Sequence, residues 1–421
     1  MNKKYKWLLL ALLSGAIFFH QADRAIFGIL TIPIQNDLGL SDVQIGWINA
    51  VLSWTLALMA MVAGPVGDRF SRKWVITLSL LSWSLMTMMM GFVGDWRIGA
   101  VVIPAFFTVM FFRSLATGVG ESFYAPSAMS LLAAHHKETR SVAFSLHQAA
   151  LYIGLMSSGV LTAAVLGFLG GWRQVFVAFG ATGFLLGIVF IFALKDKKRE
   201  TAEDSKETKS FLTGFKVFFT NPSAILAMSG FVAIVFVNNA YLFWAPKFMA
   251  AKFLVSVGAA GAQTMLYHHL CALAAIMVGG VVTDRYVKKF PRFRLGFQIL
   301  ALLGGAPFLV MIGVAPTAAG MIAMTAAYGI FRGLFECNTH ASVFDVVVPE
   351  WRGTAGGIIN FVAFLFGGLS GVVMGVLSDK YGVHGFEIGF ALMGGAYVLG
   401  AGLMAISCFR TFYRNRVREE H

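Results

Sequence analysis

The decapeptide GPVGDRFSRK at residues 64–73 returns as GVVTDRYVKK at residues 280–289, 216 positions later. Both copies read G-x-x-x-D-R-x-x-basic-basic, and each separates two apolar runs long enough to cross a bilayer. A second pair of loops repeats at nearly the same interval. KETRSVAF, with Arg140, is answered by PEWRGTAG, with Arg352, 212 residues on. A chain that repeats its loops at fixed places in two halves is built as two similar bundles.

Working outward from these loops, apolar spans recur about twelve times, near 7–34, 44–66, 74–94, 99–133, 141–168 and 174–195, then 222–249, 257–283, 293–313, 318–347, 353–378 and 386–409. Of 421 residues, 58% are hydrophobic and 13% charged, against about 25% charged in a soluble domain. The expectation is therefore an all-α membrane protein with twelve transmembrane helices in two pseudo-symmetric six-helix bundles. Residues 1–195 form the first bundle and 216–421 the second with a cytoplasmic tail. The mixed-charge stretch KDKKRETAEDSKETK marks a solvated linker, 196–215, between them. The basic start MNKKYKWLLLALL lacks a small-residue cleavage site and is read as the first spanning helix.

The net charge of +13 does not point to nucleic acid, because its distribution is topological. With the N-terminus inside, 25 of the 33 Lys and Arg fall on cytoplasmic segments and five outside (Arg97, Arg173, Lys247, Lys252, Lys380). Arg24, Arg113 and Arg332 lie within spans. Basic residues mark cytoplasmic loops, so both termini are expected inside a bacterial inner membrane. Cys271, Cys337 and Cys408 sit in apolar segments without ligand spacing and are read as packing residues. No phosphate-cradling loop, metal site or cofactor is indicated, and the chain is not read as an enzyme.

The loop between spans 2 and 3, with its degenerate copy in the second half, resembles the signature loop of the major facilitator superfamily. Gly64, Asp68, Arg69 and Arg72 carry that motif, and Asp284 and Arg285 its second copy; the resemblance implies a cytoplasmic latch. ADRAIFGILTIPIQNDLGLSDVQIGWI and GVGESFYAPSAMSLL are similar to helix 1 and helix 4 of anion:cation symporters and spinster-like carriers. NNAYLFWAPKFM and FDVVVPEWRGTAGGIINF resemble their helix 7 exit and the loop before helix 11. In those groups a helix 1 Asp-Arg pair and a helix 4 glutamate form the substrate and proton machinery, which Asp23, Arg24 and Glu121 match. One departure stands out. Arg113 precedes Glu121 by eight residues rather than the usual seven, about 80° apart on an ideal helix. A local bulge near Gly118 would restore the register; otherwise Arg113 is a structural partner.

Ionisable groups inside a membrane are expensive and mark functional sites by default. His20, Asp23 and Arg24 share one side of helix 1, at i, i+3 and i+4, and that side is expected to face a cavity. Asp23 and Glu121 are the expected proton carriers. Arg24, His20, Arg113, Tyr124, His147, Gln148, Asn238 and Asn239 are the expected substrate contacts. Arg332 and Glu336, at i and i+4, are read as a mutually neutralising pair. The whole points to a secondary transporter, a proton-coupled symporter of a small organic anion such as a sugar acid, working as a monomer in the bilayer. The alternatives are a spinster-like exporter of a lipid or amphiphile and a non-transporting sensor on the same fold.

Overall fold

A computed structural model of the chain describes residues 3–196 and 211–417; of the expected linker, 197–210 lie outside them and 211–215 begin a helix. The described residues are helical nearly throughout. In chain order the helices are α1 (Lys3–Ile29), α2 (Thr31–Leu38), α3 (Asp42–Arg69) and α4 (Arg72–Met89), followed by a short antiparallel hairpin, β1 (Trp96–Ile98) and β2 (Val101–Ile103). Then come α5 (Ala105–Val109), a π-helical turn at Met110–Ala116, α6 (Thr117–Ser122), α7 (Tyr124–His135), α8 (Arg140–Leu169) and α9 (Trp172–Ala193). The second half holds α10 (Phe211–Phe219), α11 (Pro222–Phe253), α12 (Val257–Val287), α13 (Phe293–Val314), α14 (Ala318–Glu336), α15 (Ala341–Phe344), α16 (Arg352–Tyr381), α17 (Val383–Ile406) and α18 (Phe412–Asn415).

Ten helices among the described residues are long and apolar enough to cross a membrane. The two expected spans outside that set are instructive. α1 is 27 residues long but carries the charges of the site. The segment expected to be one helix from 99 to 133 begins instead as the hairpin. Gly99 takes φ +62° at its turn, a conformation glycine adopts without strain. The β-branched Val101, Val102 and Ile103 suit the strand, and helix starts only after Pro104.

Local signals account for several boundaries. Ser41 and Gln44 form a reciprocal capping box at the start of α3, and the Ser71 side chain caps α4. The core of the first half gathers on α1. Leu9, Leu13 and Ile17 pack with Ile76, Leu80 and Trp83 of α4, Tyr124 and Leu131 of α7, and Phe190 of α9.

The chain divides into two compact units. The first holds residues 1–199 together with Leu242–Leu266 and Gly371–Asp379; the second holds the remainder. The ends of α11, α12 and α16 near residues 242–266 and 371–379 thus belong with the first nine helices.

Candidate functional site

In the first unit, α1 presents its charged side to α4 and to the broken helix that runs through α6. His20, Asp23, Arg113 and Glu121 are all buried, and Arg24 is half-buried. The Asp23 carboxylate accepts a 2.6 Å hydrogen bond from the Thr87 hydroxyl of α4. Arg113 donates from Nη2 to the Arg24 carbonyl at 2.9 Å, and its guanidinium lies 5.5 Å from the centre of the Phe27 ring. Asp23, Arg24 and Glu121 are all within electrostatic reach of it.

The π-helical turn explains how Arg113 and Glu121 come to act together. A π turn holds one residue more than an α turn. Placed at Met110–Ala116, just before Gly118, it absorbs the extra residue in the eight-residue spacing. Arg113 and Glu121 then share a face, as they would at a spacing of seven in a regular helix. Gly120 completes the approach: a Cβ there would stand 2.9 Å from the backbone nitrogen of Trp83. Glu121 is thereby pressed against α4 and α1.

His20 meets Glu121 directly, with Nε2 3.3 Å from Oε2. The Gln21 amide nitrogen lies 3.1 Å from His20 Nδ1 and donates to it, which leaves the ring proton on Nε2, toward Glu121. Trp83 and Tyr124 wall the imidazole, with ring centres 4.9 Å and 6.3 Å away. His20 is thus the side-chain donor that faces Glu121 Oε2, and Glu121 Oε1 accepts no hydrogen bond among the described residues. Burial alone would make this carboxylate costly to keep charged; His20, Arg24 and Arg113 around it offset that cost. With His20 neutral, two carboxylates, Asp23 and Glu121, balance two guanidinium groups, Arg24 and Arg113.

Other expected contacts lie as follows. Tyr124 is fully buried and donates to the Leu13 carbonyl at 2.6 Å; its hydroxyl is 3.4 Å from His147 Nε2. His147 is buried, whereas Gln148 is exposed. In the second unit Asn238 is half-buried and Asn239 is buried beside Gly367. Arg332 and Glu336 do pair, at 3.3 Å. The surroundings of Gly64 and the Asp68 side chain lie outside what the structure describes. Arg69, Asp284 and Arg285 are exposed and Arg72 is half-buried. Sequence reasoning missed Thr87, Trp83 and Gln21, and a hydroxyl one turn beyond a tryptophan in an apolar span was the one available signal.

A second polar cluster lies at the Asp42 end of the first unit. Lys247 donates to Asp42 and, at 2.7 Å, to Gln35. Gln35 donates to Asp42 at 2.6 Å, and Ser378 donates to the same carboxylate. Asp379 accepts from the backbone N–H groups of Asp42 and Val43 at 2.9 and 3.0 Å. A carboxylate on those free N–H groups complements the α3 dipole.

The family model described as Major Facilitator Superfamily matches residues 13–372. This chain belongs to the Major Facilitator Superfamily. Within that superfamily it is 24% identical over 403 residues to the probable galactarate/D-glucarate transporter GudP of Bacillus subtilis, covering 90% of this chain and 86% of that one. It is 26% identical over 376 residues to protein spinster homolog 1 of Xenopus tropicalis, covering 84% and 69%. The crystal structure of a bacterial homolog of the human lysosomal transporter spinster superposes over the full length of both chains, with a TM-score of 0.87 at 19% identity. As a superfamily member the chain is a multi-pass integral membrane transporter of small molecules.

Proposed function

We propose that this transporter moves a sugar-acid anion together with a proton, by alternating access, across a bacterial inner membrane. The observation that carries this reading is the charge-balanced, largely buried set of Asp23, Arg24, Arg113 and Glu121, with Glu121 held against the His20 ring. An organic anion added to a neutral site of low dielectric leaves one negative charge uncompensated, and such a charge costs several kcal/mol. A proton on Glu121 removes it. Arg24, half-buried and so within a ligand's reach, offers a planar fork that matches a carboxylate. Arg113 is committed to the Arg24 carbonyl and positions α1 against the broken helix. Asp23, tethered by Thr87, balances the arginines. His147 and Tyr124 stand behind His20 and hold its ring in place. Gln148, on the first unit, and Asn238 and Asn239, on the second, are each kept as contacts for sugar hydroxyls.

The galactarate/glucarate relative supports the choice of sugar acid, and the distribution of Lys and Arg supports an orientation with both termini in the cytoplasm. α1 and the broken helix through Ala105–His135 cross as well, giving twelve crossings. The Asp42 cluster then lies at the outer face and the repeated G-x-x-x-D-R loops at the inner face, where they latch the helices of each half. The working unit is the monomer.

A second reading has an observation of its own. An almost wholly apolar groove of about 480 Å³ runs along the second unit, lined by Met228, Val232, Phe236, Phe366 and Leu403 among others. Such a groove suits a lipid tail, as in a spinster-like exporter. Ligand-induced thermal stabilisation of the purified protein separates the two. Galactarate or glucarate is expected to raise the unfolding temperature of the wild type and to lose that effect in Arg24→Ala. Stabilisation by lysolipids alone would overturn the sugar-acid reading.

A further inference from the structure

In the second unit, four membrane spans have an end at one basic cavity. α13 starts at Phe293, the span through α14 and α15 ends at Phe344, α16 starts at Arg352, and the last span ends at Asn415. The cavity, of about 420 Å³, is lined by Arg294, Asp345, Arg352 and Arg416, with Pro291 and Phe344 among its apolar walls. All of these residues belong to the second unit, and none belongs to the site on α1. Three guanidinium groups against one carboxylate give the lining a positive balance.

Short links hold these groups in place. Arg294 donates to Asp345 at 2.6 Å while its side chain stays 24% exposed. Arg352 donates to the Phe344 and Val347 carbonyls at 3.2 and 3.3 Å. The Val417 N–H donates to the Asp345 carbonyl at 3.0 Å, and the Asn415 amide donates to Asn221 at 2.8 Å. Arg416, between these two anchors, lines the cavity and is exposed. Its backbone is pinned while its head group can meet an anion from outside.

Two observations say which anion. The first is depth. Span ends lie at the level of lipid headgroups, and basic pockets between such ends bind anionic headgroups. Aromatic side chains mark that level. Phe290 and Tyr413 are exposed, Arg292 stands 3.9 Å over the centre of the Tyr413 ring, and α10 exposes Phe215 and Phe219. The second is a neighbouring cavity of about 300 Å³ with a largely apolar lining that includes Val217, Phe218, Val348 and Trp351. Val417 lines both cavities. A basic cavity beside an apolar one suits an amphiphile, whereas a free ion would have no use for the second.

We infer that the basic cavity binds the phosphate of an anionic phospholipid. Arg416 and Arg294 donate to the phosphate oxygens, as guanidinium groups do, and the ester region of the lipid lies against Val217 and Trp351. The lipid is a resident of the second unit and not cargo, so the site stands whether or not the sugar-acid reading does.

The test is thermal unfolding of the purified full-length protein in detergent, titrated separately with dioleoyl phosphatidylglycerol, dioleoyl phosphatidylcholine and inorganic phosphate. Phosphatidylglycerol is expected to raise the unfolding temperature, and the other two to raise it less at equal concentration. Arg416→Gln should need about five- to tenfold more phosphatidylglycerol for the same rise, the worth of one arginine at a charged headgroup. Arg410→Gln removes the same charge from an exposed position outside both linings and should titrate like the wild type. Added salt should weaken the wild-type response, since the contacts are made by exposed charges. Equal weakening in the two variants would mean diffuse attraction to a basic surface and overturns the inference. A wild type that gains as much from phosphatidylcholine, or whose response ignores salt, overturns it without recourse to any variant. Stabilisation by inorganic phosphate equal to that by the lipid would make this a site for a soluble anion, and overturns the assignment to lipid.

Discussion

At the scale of single residues, the proposed transport cycle rests most heavily on Glu121 and Arg24. Glu121→Gln keeps the shape and removes the titration, so it is expected to abolish gradient-driven accumulation while anion-for-anion exchange across the vesicle wall continues. Loss of both activities to the same degree would show that Glu121 only supports the fold. Arg24→Ala removes a charge-assisted contact of about 1.5–3 kcal/mol, which should weaken sugar-acid affinity by roughly ten- to a hundredfold in a titration. His20, Asp23 and Arg24 were legible because charge in an apolar run is conspicuous. Thr87 and Trp83 were not, because such residues are ordinary in a membrane helix and only the fold brings them to Asp23 and His20.

The π-helical turn at Met110–Ala116 is the device on which the site depends at the scale of elements. The eight-residue interval between Arg113 and Glu121 announced an anomaly, though not where the helix would absorb it. Deleting Leu115, an exposed residue of that turn, is expected to convert it to regular α-helix and keep Glu121 against His20. Ligand-induced stabilisation should then survive. Inserting one alanine after Ala116 should rotate Glu121 by about 100° and abolish it. If deletion were as damaging as insertion, register would not be the turn's role. The Asp42 cluster yields a stability test. Lys247→Met strands the buried Asp42 charge, a change that costs about 3–5 kcal/mol in comparable pairs. Adding Asp42→Asn should recover most of the lost unfolding temperature, and a double variant no better than the single would argue that the pair is not coupled. The second strand, 101–103, escaped sequence reading because Val101, Val102 and Ile103 run into the apolar segment that follows, while 96–98 with Arg97 fell in the expected loop.

For the whole molecule, the doubled G-x-x-x-D-R loops and the count of spanning segments made the superfamily legible from sequence. They did so because membrane topology is written in local hydropathy and loop charge. The division into compact units was less accessible. Residues 242–266 and 371–379 join the first nine helices through contacts such as Lys247 with Asp42, which link positions more than 200 apart in sequence. If the proposed orientation holds, single cysteines placed near residue 4 and residue 416 should both react with an impermeant thiol reagent only from the cytoplasmic side. Labelling of either from outside would invert the assignment of the Asp42 cluster to the outer face. The central claim is that a proton gradient drives a sugar acid uphill, and accumulation of labelled glucarate in proteoliposomes measures it. The account predicts that an inward proton gradient raises internal glucarate above the external level and that a protonophore collapses it. Uptake that settles at the same level with and without the gradient would contradict it.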